Sequence, residues 1–169
     1  VREDLIPEPE KCLPGTPTMS MYKTHSENGS MYNTPPCYTI YVLDKVLNWI
    51  EKNGGAAGIN KLNVEKANYL YNYLDNSDFY HATTEKGSRS LMNVPFLTKY
   101  SDNDGSEEAQ AKEKAINGKF VKEAEAAGLV NLKGHRTVGG MRASMYNAMP
   151  VEGVEKLVEF MKKFESENM

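Results

Sequence analysis

The sequence predicts an α/β fold with an α+β-like small domain, helices packed on a small mixed sheet, and three observations carry that expectation. Apolar residues recur at helical spacing in four stretches, 37–55, 56–77, 111–130 and 150–169. Between them lie shorter β candidates at 79–84, at 90–98 and from about Met141. The resulting order, α-α-β-β-α-β-α, is that of a sheet with helices laid against it. An N-terminal stretch of different character precedes all of these.

That stretch, 1–36, holds six of the eight prolines. Proline fixes φ and removes a donor, so an extended, irregular arm is expected, without helix or central strand. Met19, Met21, Tyr22, Met31 and Tyr32 are larger apolar groups than a solvated tail needs. Residues 37–76 then form a helical segment. In its first helix Ile40, Leu43, Val46, Leu47 and Ile50 share a face, Trp49 is expected in the core, and Gly54 and Gly55 stop the run. In the second, Ile59, Leu62, Ala67, Leu70, Tyr71 and Leu74 line up.

The remainder, 77–169, reads as a small α/β domain. "FYHATT" and "SLMNVPFLT" are strands, and Pro95 makes the second an edge strand or ends it. "SDNDGSEEAQ" is an acidic loop before a helix with Phe120, Val121, Ala124 and Leu129, closed by Gly128. Met141, Ala143 and Met145 alternate with Arg142, Ser144 and Tyr146 in a third strand. Pro150 opens a last helix with Val154, Leu157, Val158 and Met161 on one face.

Composition narrows the function. With 40% hydrophobic and 25% charged residues in 169, the chain is ordinary globular material. A net charge of −3 gives no global field to draw nucleic acid, so any anion binding is local. Cys12 and Cys37 form neither a metal-ligand spacing nor a disulfide framework, which points to a reducing cytoplasm. No apolar run is long enough to cross a bilayer. Neither a signal-peptide core nor an initial methionine is present, and the start reads as the interior of a longer protein.

The densest chemistry is "GHRTVGGMRAS". Arg136 and Arg142 flank Gly139 and Gly140, with His135 alongside. A guanidinium fork matches carboxylate or phosphate oxygens two at a time, and glycines allow close backbone approach. The competing account is two solvated arginines and a half-buried histidine. In "SMYNTPP", Asn33 and Thr34 offer an amide and a hydroxyl before a helix start, where phosphates bind; local sequence favours plain capping by Thr34. His25 and His81 stand alone and read as structural, and no metal-ligand set is evident.

Three blocks, "THSENGSMYNTPPCYTIYVLDKVLNWI", "RSLMNVPF" and "FVKEAEAAGLVNLKGHRTVGGMRASMYNAMPVEGVEKLVEFM", closely resemble the phosphoserine aminotransferase family of class-V, pyridoxal-phosphate-dependent aminotransferases. The resemblance runs along nearly the whole chain but covers only the C-terminal part of such an enzyme. It implies that the arm and first two helices belong to the large domain and dimer interface. It implies that Asn33 and Thr34 contact the phosphate of the partner subunit's pyridoxal 5′-phosphate in a homodimer. His135 and Arg136 would contact the substrate's distal phosphate or carboxylate, and Arg142 its α-carboxylate. The implied reaction passes the amino group of glutamate to 3-phosphohydroxypyruvate, giving phosphoserine and 2-oxoglutarate in serine biosynthesis in the cytoplasm. The family's Schiff-base lysine, its pyridine-nitrogen aspartate and its ring-stacking aromatic fall upstream of Val1. No catalytic residue is therefore expected here, and the isolated chain is expected to be inactive and to self-associate or carry a mobile arm. The other class of function open to these residues is a non-catalytic anion-binding or dimerisation module.

Overall fold

The structure, a computed structural model, describes residues 2–8, 11–15 and 21–169. Its contacts divide into two compact units, one up to Trp49 and one from Ile50 to Met169.

In the first unit the proline-rich arm is less extended than expected. It contains a 3-10 turn at Glu3–Leu5 and a short helix, α1 (Tyr22–Glu27). That helix occupies the part of the arm between Pro17 and Pro35 that has no proline, so every N–H it needs is available. It ends where Asn28 Nδ2 donates to the Thr24 carbonyl (2.8 Å) and the Ser30 N–H to the His25 carbonyl (2.7 Å). Gly29 and Ser30 both turn to positive φ, 59° and 62°, which closes the motif. Met19 lies outside the described residues. Tyr22, Met31 and Tyr32 are exposed.

Helix α2 (Cys37–Lys52) starts directly after Pro35 and Pro36. Its apolar period is as expected, yet Tyr38, Ile40, Leu43, Val46 and Leu47 are all exposed. Trp49 is 38% exposed and is not the core residue its spacing suggested. Helical periodicity reports that a face is to be covered, and says nothing about what covers it.

The second unit holds the core. Helix α3 (Gly55–Asn76) follows Gly54, whose φ of 86° turns the chain. A side chain at Gly58 would run into the Asn53 carbonyl, so the α2–α3 junction requires glycine there. The strands β1 (Tyr80–Ala82), β2 (Asn93–Thr98) and β3 (Met141–Ser144) form a three-stranded sheet in the order β1-β2-β3. Both pairings are antiparallel, where a mixed sheet was expected. Helices α4 (Glu107–Ala126) and α5 (Val151–Asn168) complete the unit. Ser106 caps α4, accepting from the Ala109 N–H (3.3 Å), and Glu107 and Glu108 suit the positive helix start. The helix thus begins inside the acidic stretch read as loop.

Pro95 lies in the middle of the central strand, neither on an edge nor at a strand end. Geometry explains the tolerance. Antiparallel neighbours alternate between hydrogen-bonded and non-bonded pairs. Pro95 faces Arg142, whose N–H turns away from β2 to the Leu132 carbonyl (2.8 Å), so no donor is missed on that side. On the other side β1 has ended at Ala82, and the Pro95 carbonyl accepts from Thr83 (3.4 Å).

One face of the sheet is buried by Tyr80, Val94, Phe96, Met141 and Ala143 with α3, α4 and α5. Phe120 is the hub, its ring edge-on to Tyr80, Phe96, Phe160 and Phe164 at 5.1–6.0 Å between centroids. Such pairs add about 0.5–1.5 kcal/mol each beyond burial. The other face carries Asn93, Pro95, Leu97, Arg142 and Ser144, all half-buried.

Candidate functional site

The predicted anion loop is a hairpin. Lys133 bridges to Met141, the Arg142 N–H reaches the Leu132 carbonyl, and the Gly134 N–H donates to the Gly140 carbonyl (3.0 Å). A side chain at Gly134 would collide with the carbonyls of Gly139 and Gly140, so the loop closes only on glycine. Gly140 (φ 56°) lies against Leu97 and the Phe96 carbonyl, which fastens the loop to the central strand.

Within the loop the His135 carbonyl accepts from the N–H groups of Val138 (3.0 Å) and Gly139 (2.7 Å). Its ring Nδ1 accepts from the Thr137 N–H (3.3 Å) and lies 2.7 Å from the Thr137 hydroxyl. With Nδ1 occupied as an acceptor, the neutral ring carries its proton on Nε2, free to donate outward. Arg136 is exposed, and among the described residues its guanidinium has no ion-pair partner.

His135 and Arg136 come together with Lys133, Asn117 and Lys122 on a groove of about 1070 Å³ between the loop and α4. Arg142 is not among that groove's lining; it stands on the open face of the sheet opposite Pro95. Its Nε is buried with no hydrogen-bond partner. A buried guanidinium N–H left unpaired costs free energy unless something from outside accepts it. The two arginines flanking the glycine pair are therefore displayed differently: one on an exposed turn, one half-sunk in a sheet face.

Asn33 and Thr34 lie in the first unit, both exposed, just before α2. The opening turns of α2 are served by proline carbonyls, with Cys37 N–H on Pro35 (2.8 Å) and Ile40 N–H on Pro36 (3.0 Å). Among the described residues neither the Asn33 amide nor the Thr34 hydroxyl makes a hydrogen bond, so Thr34 does not cap the helix. Both groups keep their full capacity for an outside acceptor or donor.

His25 packs edge-on to Tyr32 (5.9 Å between centroids), and His81 Nε2 sits 3.8 Å from Asp102. Among the described residues no three of His, Cys, Asp and Glu gather as a metal would require. No helix among them is long and apolar enough to cross a membrane.

Two features escaped the sequence reading. Lys66 is only 1% exposed, and its Nζ donates to three carbonyls, Met145 (3.3 Å), Tyr146 (2.9 Å) and Met149 (3.0 Å). Burial pulls the pKa of its ammonium below the ordinary lysine value. The signal was in the sequence: Lys66 falls on the stripe of Ile59, Asn63, Ala67 and Leu70. Arg89 stacks on the Tyr71 ring (4.4 Å) while its guanidinium pairs with Asp75 (2.9 Å), and Tyr71 donates to the Ser90 carbonyl (3.1 Å). That cluster anchors the approach to β2.

The family model of the class-V aminotransferases matches residues 1–157. The chain is 52% identical over 97% of its length to a phosphoserine aminotransferase of Listeria monocytogenes, and 48% identical over 98% to one of Nitrosomonas europaea. Among solved structures, the phosphoserine aminotransferase of Bacillus circulans subsp. alkalophilus aligns with 100% of the chain at 42% identity and a TM-score of 0.80. A PLP-bound phosphoserine aminotransferase of Trichomonas vaginalis aligns with 89% at 37% identity and 0.75. The chain spans 40% and 41% of the two curated relatives, and 43% and 39% of the two solved chains.

Proposed function

The chain belongs to the class-V aminotransferases, and from that premise we propose that it is the C-terminal, substrate-clamping part of a phosphoserine aminotransferase. The whole enzyme would transfer the amino group of glutamate to 3-phosphohydroxypyruvate, yielding phosphoserine and 2-oxoglutarate, as a cytoplasmic homodimer in serine biosynthesis. The observation that carries this reading is that two guanidiniums find no ion-pair partner among the described residues, Arg136 on the turn of a hairpin closed by glycine and Arg142 in the strand that leaves it.

The division of labour follows from where each group stands. Arg142, rigid in a strand and with a buried orphan N–H, takes the α-carboxylate common to phosphoserine and glutamate. Arg136 and the Nε2–H of His135, on the turn, take the distal anion, phosphate in one half-reaction and carboxylate in the other. A turn adapts to two anions of different size more readily than a strand does.

Pyridoxal 5′-phosphate fits the residues present. Asn33 and Thr34 would hold its phosphate, because their amide and hydroxyl have no partner within the described residues and sit just ahead of a helix start. When bound, the cofactor supplies the electron sink for bond breaking at Cα. In the family these contacts cross to the partner subunit, which suits an exposed arm and the exposed apolar face of α2. The 37–76 segment would then link a large domain to the small domain of 77–169.

The lysine that links the cofactor is expected outside these 169 residues. Lys66, the buried lysine, has its three N–H groups committed to carbonyls and cannot serve. The test is borohydride reduction of the native polypeptide followed by peptide mapping. A pyridoxyl group on a lysine outside this stretch supports the reading. A pyridoxyl group on one of its own lysines, or turnover of 3-phosphohydroxypyruvate with glutamate by these 169 residues alone, overturns it.

A further inference from the structure

We propose that Lys66 is a positioning residue for Arg142: from α3 its ammonium fixes the turn that ends the Arg142 strand, and so fixes where the guanidinium stands. The inference rests on the proposed role of Arg142 as the carboxylate clamp.

Lysine is the wrong residue for the place it occupies unless its charge is used. It sits 1% exposed in the stripe by which α3 enters the core, between Asn63 and Ala67. Among the described residues no carboxylate pairs with it; its acceptors are the carbonyls of Met145, Tyr146 and Met149. Three carbonyls of one five-residue turn thus converge on one point, and an ammonium is the side-chain group that offers three N–H donors from one point. Charge-assisted bonds of this kind are the stronger class and are worth more away from water. The same helix ties the same turn a second time, through Asn63 Nδ2 donating to Asn147 Oδ1 (2.8 Å).

The turn begins three residues past Arg142. From its first residue the Met145 N–H continues the ladder to the Met92 carbonyl (2.7 Å), while the Arg142 N–H is held by Leu132 at the other end of the strand. Strand β3, four residues long, is pinned at both ends, and the far pin hangs on Lys66. A clamp that must hold a carboxylate within hydrogen-bond tolerance cannot allow that end to shift.

The test compares Lys66→Met, Lys66→Arg and Asn63→Leu with Arg142→Lys in the full-length enzyme containing this chain. The expected result for Lys66→Met is a rise of about 10- to 100-fold in the KM for the amino-acid substrate, with kcat and cofactor absorbance nearly unchanged. Lys66→Arg recovers part of that loss, and Asn63→Leu shows a smaller rise. Unchanged KM values in the folded variants, with only Tm lowered, overturn the proposal. If Lys66→Met does not fold, Lys66→Arg and Asn63→Leu decide on the same criterion. Amide exchange between Arg142 and Met149 separates this inference from the one it rests on. Faster exchange in the Lys66 and Asn63 variants supports the pin even if Arg142→Lys leaves KM untouched, which would sink the clamp assignment instead. Unchanged protection sinks the pin.

Discussion

Pro95 and Arg142 face each other across the β2–β3 ladder in a pair that exchanges no hydrogen bond. The residue without an N–H thus sits where the β3 side asks for none, directly across from Arg142. Arg142 contributes nothing to the ladder through its side chain, and its Nε is an unsatisfied donor. Arg142→Ala should therefore cost no more than about 1 kcal/mol of stability in a urea titration, since removing an orphan donor relieves a penalty. Binding of O-phosphoserine to the full-length protein, measured by calorimetry, should weaken by roughly 10- to 100-fold, the worth of a charge-assisted pair. A large stability loss with unchanged binding would make Arg142 a structural residue.

The hairpin that separates the two arginines depends on Gly134. A methyl group there meets the carbonyls of Gly139 and Gly140, backbone atoms that cannot step aside without opening the Gly134–Gly140 hydrogen bond. Gly134→Ala should destabilise the protein by about 1–3 kcal/mol, as overpacking against rigid neighbours does. Its Tm should fall accordingly, and the weakening of O-phosphoserine binding should be traceable to a displaced His135 and Arg136. Gly118→Ala, where an added Cβ meets open space on α4, is the control and should leave Tm unchanged or raised.

Much of this was legible in the sequence, and the exceptions share a cause. Helices α3, α4 and α5 and all three strands follow from apolar period, with Val154, Leu157, Val158 and Met161 buried as expected. Asn33, Thr34, His135, Arg136 and Arg142 were visible as polar groups beside glycine or proline. What failed depended on partners distant in sequence. Pro95 is admissible mid-sheet because β1 ends at Ala82 and because Arg142 bonds to Leu132. Lys66 is explained only by carbonyls some eighty residues on. Trp49 has core-like spacing, but nothing local says whether a neighbour will cover it.

Asp75 gives the stability of the second unit an acid limb. Hydrogen bonding from the Arg89 guanidinium, assisted by Lys86, holds its carboxyl below the ordinary value of 3.8. A carboxylate depressed in the folded state contributes stability that is complete above the unfolded value and is lost as pH falls through the folded one. Stability should therefore be flat with respect to this group above about pH 5 and decline below about pH 4. Asp75→Asn should flatten that decline in acid-unfolding curves, with a modest effect because the pair is partly open to water. An unaltered acid limb in the variant would show that other carboxylates carry it.

Helix α2 sets the behaviour of the chain in solution. Along it Ile40, Leu43, Val46 and Leu47 are each about half exposed, at 53%, 54%, 47% and 55%, and they lie at helical spacing on one side. An amphipathic helix whose apolar stripe faces water gains free energy from any surface that covers it, at about 25 cal/mol per Å² removed from water. The 169-residue chain should consequently associate as its concentration rises, and light scattering should show a mass above 18.9 kDa. Leu43→Glu with Leu47→Lys should abolish the association without lowering Tm, because neither side chain belongs to the core. Charges of opposite sign four residues apart keep the helix itself intact. A chain that stays monomeric at every concentration, or a double variant that unfolds, would mean that the stripe is covered within the molecule.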